Sequence, residues 1–381
     1  MIQWFFKYGY VVFLLNTILY SISNLPFFIP QTLFLSIMFL GILFLLINPI
    51  QIKEILFHKS FTFLFLLNLI NFSYFFIFDE INSQSSFEYL MARFMQFSLI
   101  SLSIYHNLEY FKKKFFDHIL FCVYIVIFLS LILYPDIFTA RYSGIIWNEN
   151  MMGSFTIIGF AILLLKEEKK TYFQFFLMGI LLIVSISTGS RIVLIGVVLS
   201  FVLKFGFSLR NIIYAIMALI SFIIVSSTNL DTSINRINSQ SLFNDRTEQF
   251  QNAIENIMEK PWTGYGLSKY SGDPDPEKRF DEFGKQIMHA HNGYLSLFIQ
   301  LGFIFGFLTL FIIFKKSYTS LMLLRNETGY IRIYSFIVLY TLFAAVFESL
   351  ITGINEFQTI LFWFSLTILS YTKYQVNNNE A

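Results

Sequence analysis

Residues 172–208 read YFQFFLMGILLIVSISTGSRIVLIGVVLSFVLKFGFS. A bilayer core takes about 20 mostly apolar residues per helix. This run is too long for one crossing, and Thr188-Gly189-Ser190-Arg191 supplies the polar, glycine-containing break that divides it in two. The same ruler carried outward predicts about twelve spans, near 8–23, 31–49, 61–78, 88–106, 115–134, 150–165, 172–188, 191–208, 211–228, 292–314, 331–352 and 357–373. The fold class expected is therefore an all-α integral membrane protein. Three regions follow: a nine-helix transmembrane region over 1–228, a polar outer loop domain over 229–290, and a three-helix transmembrane region over 291–381.

Composition agrees. Of 381 residues, 56% are hydrophobic and 13% charged, and mean hydropathy is +0.64. A soluble domain carries about twice that charged fraction. A net charge of +2 is too small to point to a nucleic-acid partner. The single Cys122 excludes an internal disulfide and suggests no thiol–metal site. The first apolar run is followed at once by another, so it reads as a retained signal-anchor helix. No internal repeat is visible.

Charge sets the orientation. Alternate loops carry Lys7; Lys53 and Lys59; Lys112, Lys113 and Lys114; Lys166, Lys169 and Lys170; Lys204 and Arg210; Lys315, Lys316, Arg325 and Arg332; and Lys373. The other short loops carry little beyond Arg93, Arg141 and Arg191, together with Asp79, Glu80, Asp136, Glu149 and Glu356. Basic residues are retained on the cytoplasmic side. Both termini are then cytoplasmic, as an even number of spans requires, and 229–290 lies outside. The outer arginines, Arg93, Arg141, Arg191 and Arg246, need a reason beyond topology. One is bidentate capture of phosphate; the other is snorkelling to headgroups or pairing with a carboxylate such as Glu348. Glu348 falls inside the span 331–352, where pairing with an outer-face arginine is favoured over a place in the wall of an acceptor cavity.

Segment 229–290 is polar throughout. Asn244-Asp245-Arg246-Thr247-Glu248 opens a helical pattern with Phe250, Ala253, Ile254 and Ile257 at helical spacing. It ends before Pro261, and Trp262-Thr263-Gly264-Tyr265-Gly266 forms a turn. Trp262, Tyr265 and Tyr270 fit either contact with sugar faces or an interfacial aromatic belt. The segment leads into His289-Ala290-His291-Asn292-Gly293-Tyr294-Leu295 at a helix entrance. A histidine there can take a proton from a hydroxyl near neutral pH. Metal ligation is a rival, weakened by the i, i+2 spacing and the lack of a third ligand. Capping by Asn292 is another.

Four motifs in this order resemble the O-antigen ligase and O-antigen polymerase superfamily. They are Arg141-Tyr142-Ser143-Gly144 with Asn148 and Asn150; Thr188-Gly189-Ser190-Arg191; Arg246 followed by Pro261, Gly264, Tyr265 and Gly266; and His289-Ala290-His291-Asn292-Gly293-Tyr294-Leu295 with Gly302. The resemblance covers about 140–315, with the large outer loop before the third span from the end. The first 130 residues match only as generic spans.

The resemblance implies a GT-C-like membrane glycosyltransferase of the bacterial inner membrane, with its site on the outer (periplasmic) face. Such proteins move a glycan from a polyprenyl (undecaprenyl) diphosphate carrier to a hydroxyl. They use no nucleotide sugar, and no metal or other cofactor is expected. The outer loop near 24–30 has no Asp or Glu, in agreement. By this reading His291 is the general base, with His289 orienting it or acting in its place. Asn292 orients the base or acceptor. Arg191 and Arg246, and less strongly Arg141, hold the diphosphate, while Trp262, Tyr265 and Tyr294 contact glycan or acceptor. Attack from the opposite face inverts the anomeric centre. The implied partners are the lipid-linked donor, a glycan or lipid A-core acceptor, membrane lipids and a protein that regulates chain length.

The expected activity is polymerisation of O-antigen or capsule repeat units. The alternative is ligation of finished polysaccharide to lipid A core or protein. A transporter of lipid-linked oligosaccharides is the reading from another class; it would show matched inverted halves, which are not evident.

Overall fold

The computed structural model describes residues 2–47, 49–78, 83–138, 141–206, 208, 211, 213, 244–267, 290–326 and 329–379. The expected span 211–228, His289, and segments 229–243 and 268–289 of the loop domain lie outside or almost wholly outside the described residues.

No strand occurs among the described residues; one isolated bridge joins Ile22 to Ile146. The helices, in chain order, are α1 (Ile2–Leu19), α2 (Phe28–Ile47), α3 (Pro49–Leu56), α4 (Thr62–Ile77), α5 (Gln84–Lys113), α6 (Phe115–Leu133) and α7 (Glu149–Leu165). They continue with α8 (Tyr172–Ser187), α9 (Arg191–Phe205), α10 (Asn244–Glu259), α11 (Gly293–Leu321), α12 (Gly329–Ala344) and α13 (Phe357–Asn379). A 3₁₀ turn, Met322–Asn326, follows α11.

Three of these are long and apolar enough to cross a membrane: Phe28–Ile47, Phe115–Leu133 and α11 with its 3₁₀ extension to Leu324. The helices Thr62–Ile77, Glu149–Leu165, Tyr172–Ser187 and Gly329–Ala344 are apolar and shorter. These seven helices all fall on spans expected from the sequence.

Helix α6 shows the surface such helices present. Ile119, Val123, Val126 and Ser130 face the interior, while Phe121, Ile125, Phe128 and Ile132 form an exposed stripe at helical spacing. In α8, Phe173 and Phe176 are likewise exposed. An apolar helix with an apolar outward stripe fits a membrane protein, where lipid covers what water would not. The most buried helices are α7, α12 and the first four turns of α13. Around them pack α1, α5, α9 and α11.

Two sequence expectations change here. Helix α12 stops at Ala344 rather than running to 352. Residues 345–356 are a largely half-buried loop that returns to α13, and Glu348 lies in it rather than in a span. Helix α11, in contrast, extends to Leu321 and breaks at Gly302, whose φ is 67°.

The break at Gly302 is filled by the turn after α10. Tyr265 N donates to Ile299 O at 2.8 Å, Gly266 N to Gln300 O at 3.1 Å, and Phe303 N to Pro261 O at 2.7 Å. Non-helical backbone is tolerated inside an apolar bundle only where protein satisfies its polar groups, and here the turn does so. A Cβ on Gly302 would lie 2.5 Å from Trp262 O, and one on Gly264 (φ 66°) would lie 2.5 Å from Gln300 O. Only glycine allows both close approaches. Tyr74 Oη donates to Thr263 O from α4, and Leu267 is fully buried in the core. On α10, Ala253 and Ile257 pack against Ala290 and Ile299. Ile254, at the same helical spacing, is exposed instead.

Candidate functional site

The N-termini of α7, α9 and α11 and the C-terminus of α1 come together at one end of the bundle with loop 345–356. The lysine-bearing ends meet at the other. There Lys7 lies over Tyr110, Lys166 pairs with Asp117, and Lys373 Nζ donates to Thr319 O at 2.7 Å.

Each site segment is fixed locally. Asn148 caps α7, its Oδ1 accepting from Asn150 N at 2.8 Å and Met151 N at 3.2 Å. Asn292 caps α11 in the same way, accepting from Tyr294 N and Leu295 N at 2.9 Å each, while its Nδ2 donates to Val346 O at 3.0 Å. Gly293 lets loop 345–356 approach: its N donates to Ala345 O at 2.7 Å, and a Cβ there would fall 2.1 Å from Leu350 O.

Arg93 holds the far side of that loop. It is 3% exposed and donates to Thr352 O at 2.5 Å, Gly353 O at 3.1 Å and Tyr89 Oη at 3.2 Å. Its guanidinium is a loop clamp, an alternative to both the phosphate capture and the snorkelling or carboxylate pairing left open for the outer arginines. Gln96 Nε2 donates to Ile354 O beside it.

A chain of polar side chains then crosses the site. Arg141 Nη2 donates to Asn150 Oδ1 at 2.7 Å, and its Nε to Thr188 O at 3.1 Å. Asn150 Nδ2 donates to Glu348 Oε1 at 2.8 Å. Glu348 Oε2 lies 3.4 Å from His291 Nδ1. His291 is the only positive-φ residue besides Ile351 that is not glycine, among the described residues, with φ 42° and 84° respectively. His291 lines the site's cavity, and Ile351 lies between its lining residues Leu350 and Thr352. Backbone in this region is strained for a side chain with a Cβ and concentrates at working sites. A carboxylate facing Nδ1 favours the ring tautomer with its proton there, leaving Nε2 to accept one.

His291 and Glu348 line a cavity of about 320 Å³. Asn148, Asn150, Gln300 and Gln358 contribute carboxamides to its wall; Tyr89, Ser154, Ser296 and Ser349 contribute hydroxyls; Trp147, Phe155 and Phe357 contribute rings. Glu356, in the loop before α13, adds a second carboxyl. Burial pushes its pKa up to about 7, reinforced by Glu348 and opposed by the Thr359 hydroxyl, which donates to Oε2 at 2.7 Å, and by Arg93.

Of the residues singled out from sequence, His291 reaches the cavity. Asn292 stands behind it, its amide taken up by the cap and by Val346. Arg141 joins it through Asn150, and Arg191 opens α9 directly after the Thr188-Gly189-Ser190 turn. Tyr294 is turned into the packing, its hydroxyl donating to Leu342 O at 2.6 Å and its ring stacked on Phe314. Trp262 and Tyr265 belong to the turn at the α11 break, with Lys260 over the Tyr265 ring. Neither they nor Tyr294 line the cavity. The side chain of Arg246 and all of His289 lie outside the described residues. Glu356, Gln300, Gln358, Tyr89 and Trp147 were not assigned from sequence. Their one signal is that they fall at or near the outer ends of expected spans.

These features fit a membrane protein, helical throughout its described residues, with a polar cavity built around a histidine and two carboxyl groups at one end of the bundle. Residues 173–311, about a third of the chain, match the family model described as O-antigen ligase, which supports the resemblance to the O-antigen ligase and polymerase superfamily. No curated protein matches the chain. The matched segment contains α8 to α10 and most of α11, and thus His291, Ser296 and Gln300. Arg141, Asn150, Glu348 and Glu356 come from outside it.

Proposed function

We propose that this protein transfers a glycan from a polyprenyl diphosphate carrier to a sugar hydroxyl at the outer face of the bacterial inner membrane, with both termini cytoplasmic. The observation that carries the reading is the His291–Glu348 pair in a cavity walled by carboxamides and hydroxyls, within a chain whose domain is of the O-antigen ligase type.

His291 Nε2 accepts the proton of the acceptor hydroxyl. Its oxygen attacks the anomeric carbon from the face opposite the diphosphate. The new C–O bond forms as the bond to the diphosphate oxygen breaks, inverting that carbon and releasing polyprenyl diphosphate. Glu348 holds the ring and stabilises the imidazolium that forms. Arginines meet the charge that develops on the leaving group. Arg191 suits this role because it starts α9, where free backbone N–H groups and the helix dipole add to anion binding. Arg246 and Arg141 complete the proposed set. The transfer takes place without a metal or other cofactor.

The activity proposed is repeat-unit polymerisation. Ligation to a second acceptor is the alternative favoured by the description of the matched family. Purified protein given lipid-linked repeat units alone is expected to produce a ladder of products, which His291→Ala reduces by about 10²–10⁴-fold. Product only after a separate acceptor is added would select ligation. An undiminished ladder from His291→Ala would remove the base assignment.

A further inference from the structure

Gln300 presents a specific anomaly. It is 2% exposed, lines the cavity, and its Nε2 finds no hydrogen-bond partner among the described residues. A buried amide donor left without an acceptor costs about 1–3 kcal/mol, so such groups are rare and call for an explanation. Gln300 is also held at its backbone: its carbonyl accepts from Gly266 N at the α11 break, two positions before Gly302. Its backbone is therefore fixed where the side chain joins the cavity wall.

The rest of the wall says what kind of group satisfies it. Asn148 and Asn150, Ser296 and Ser349, Tyr89 and Gln358 are uncharged hydrogen-bonding groups, and Trp147, Phe155 and Phe357 offer ring faces. This mixture matches a pyranose, with hydroxyls around its rim and C–H groups on its faces. Glu348 and Glu356 stand in the same wall. The cationic partner behind Glu356, Arg93, is already engaged with Thr352 O and Gly353 O. A second anion brought beside such carboxyl groups meets repulsion in a partly water-poor site. The volume of about 320 Å³ lies at the lower end for small-molecule sites, roughly 300–1,000 Å³. It suits one or two sugar residues rather than a long glycan.

We propose that this cavity is a subsite for an uncharged sugar residue of the acceptor, in which Gln300 Nε2 donates to a sugar oxygen and Glu348 and Glu356 exclude uronic acids. The inference rests on the reading of the protein as a glycan transferase, and it adds the chemical class that the acceptor end must have.

The test is a binding measurement that does not depend on turnover. Full-length protein in nanodiscs is titrated with the methyl glycosides of glucose, galactose, N-acetylglucosamine and N-acetylgalactosamine, and with methyl glucuronide and methyl galacturonide, followed by saturation-transfer NMR. At least one uncharged glycoside is expected to saturate, with the uronides at least about tenfold weaker. Gln300→Leu should weaken the uncharged glycoside by about tenfold, as for removal of one buried hydrogen bond. Glu356→Gln, which keeps the wall's shape, should narrow the gap to the uronides.

Uronides binding as tightly as uncharged glycosides would overturn the exclusion. No saturable uncharged glycoside, or unchanged binding in a folded Gln300→Leu protein, would overturn the subsite. If Gln300→Leu does not fold, an unchanged preference in Glu356→Gln overturns the role of that carboxyl. A failed ladder with sugar binding intact would remove the transfer reaction and leave the subsite. A ladder without sugar binding would do the reverse.

Discussion

Replacing Gly302 with alanine should unseat the turn that organises one wall of the cavity. Gly302 has φ 67° and ψ −176°, a region essentially only glycine adopts, where an L-residue costs on the order of 1–3 kcal/mol. The added Cβ would sit 2.5 Å from Trp262 O and 2.7 Å from its carbonyl carbon. Those are backbone atoms, so relief requires the turn to move. Movement breaks Tyr265 N to Ile299 O, Gly266 N to Gln300 O and Phe303 N to Pro261 O. Each buried group left unpaired costs about 1–3 kcal/mol. Losing even one of the three brings the total to about 2–6 kcal/mol, in the range where single substitutions become severe. The assay is thermal unfolding of detergent-purified protein, read by intrinsic fluorescence, alongside the ladder assay. A fall in Tm on the order of 5–10 °C is expected, with loss of most activity because Gln300 is displaced. Gly264→Ala should behave alike, since its Cβ would lie 2.5 Å from Gln300 O across the same contact. The double variant should cost less than the sum, because either substitution breaks the same interlock. Gly179→Ala is the control: nothing lies within 4 Å of its Cβ and it sits inside α8. It should be neutral or stabilising by about 0.5–1 kcal/mol. A Gly302→Ala protein with unchanged Tm and activity would refute the seating of the turn on the break.

Two further outcomes follow from the site itself. Glu348→Gln should slow glycan transfer by about tenfold or more, while the double variant with His291→Ala should be no slower than His291→Ala alone, since the two side chains act as one unit; multiplicative losses in single-turnover rates would separate them. Glu356 has its pKa raised by burial to about 7 from an ordinary 4.5, so the folded protein holds that proton more tightly than the unfolded chain. Its contribution to stability is therefore greatest below pH 4.5, falls as pH climbs towards 7, and is flat beyond, a loss of about 3 kcal/mol. Glu356→Gln should flatten this part of the pH profile and raise Tm at pH 8 relative to the parent; an unchanged difference between pH 5 and pH 8 would show that the buried proton is not at Glu356.

The sequence alone determined the helices and several of their ends. Apolar runs of bilayer length, the polar break at Thr188-Gly189-Ser190-Arg191, and the capping residues Asn148 and Asn292 are local signals, because a helix's hydrogen bonds and caps are made by near neighbours. The motifs around Arg141, Arg191 and His291 were legible for the same reason, and they carried the family resemblance. Residues 345–352 misled because periodicity cannot distinguish a partly buried apolar loop from the end of a helix. Packed beneath Arg93, Tyr89 and Gly293, the loop has apolar residues for the same cause that a span does. Glu348 therefore looked like a charge inside a membrane helix, and Arg93 like an outer-face cation that topology does not account for. Only the tertiary structure set Glu348 opposite His291, 57 residues away, and Gly264 against Gly302. Both pairings depend on where separate helices end in space, and that is decided by how the bundle packs rather than by any stretch of chain read alone.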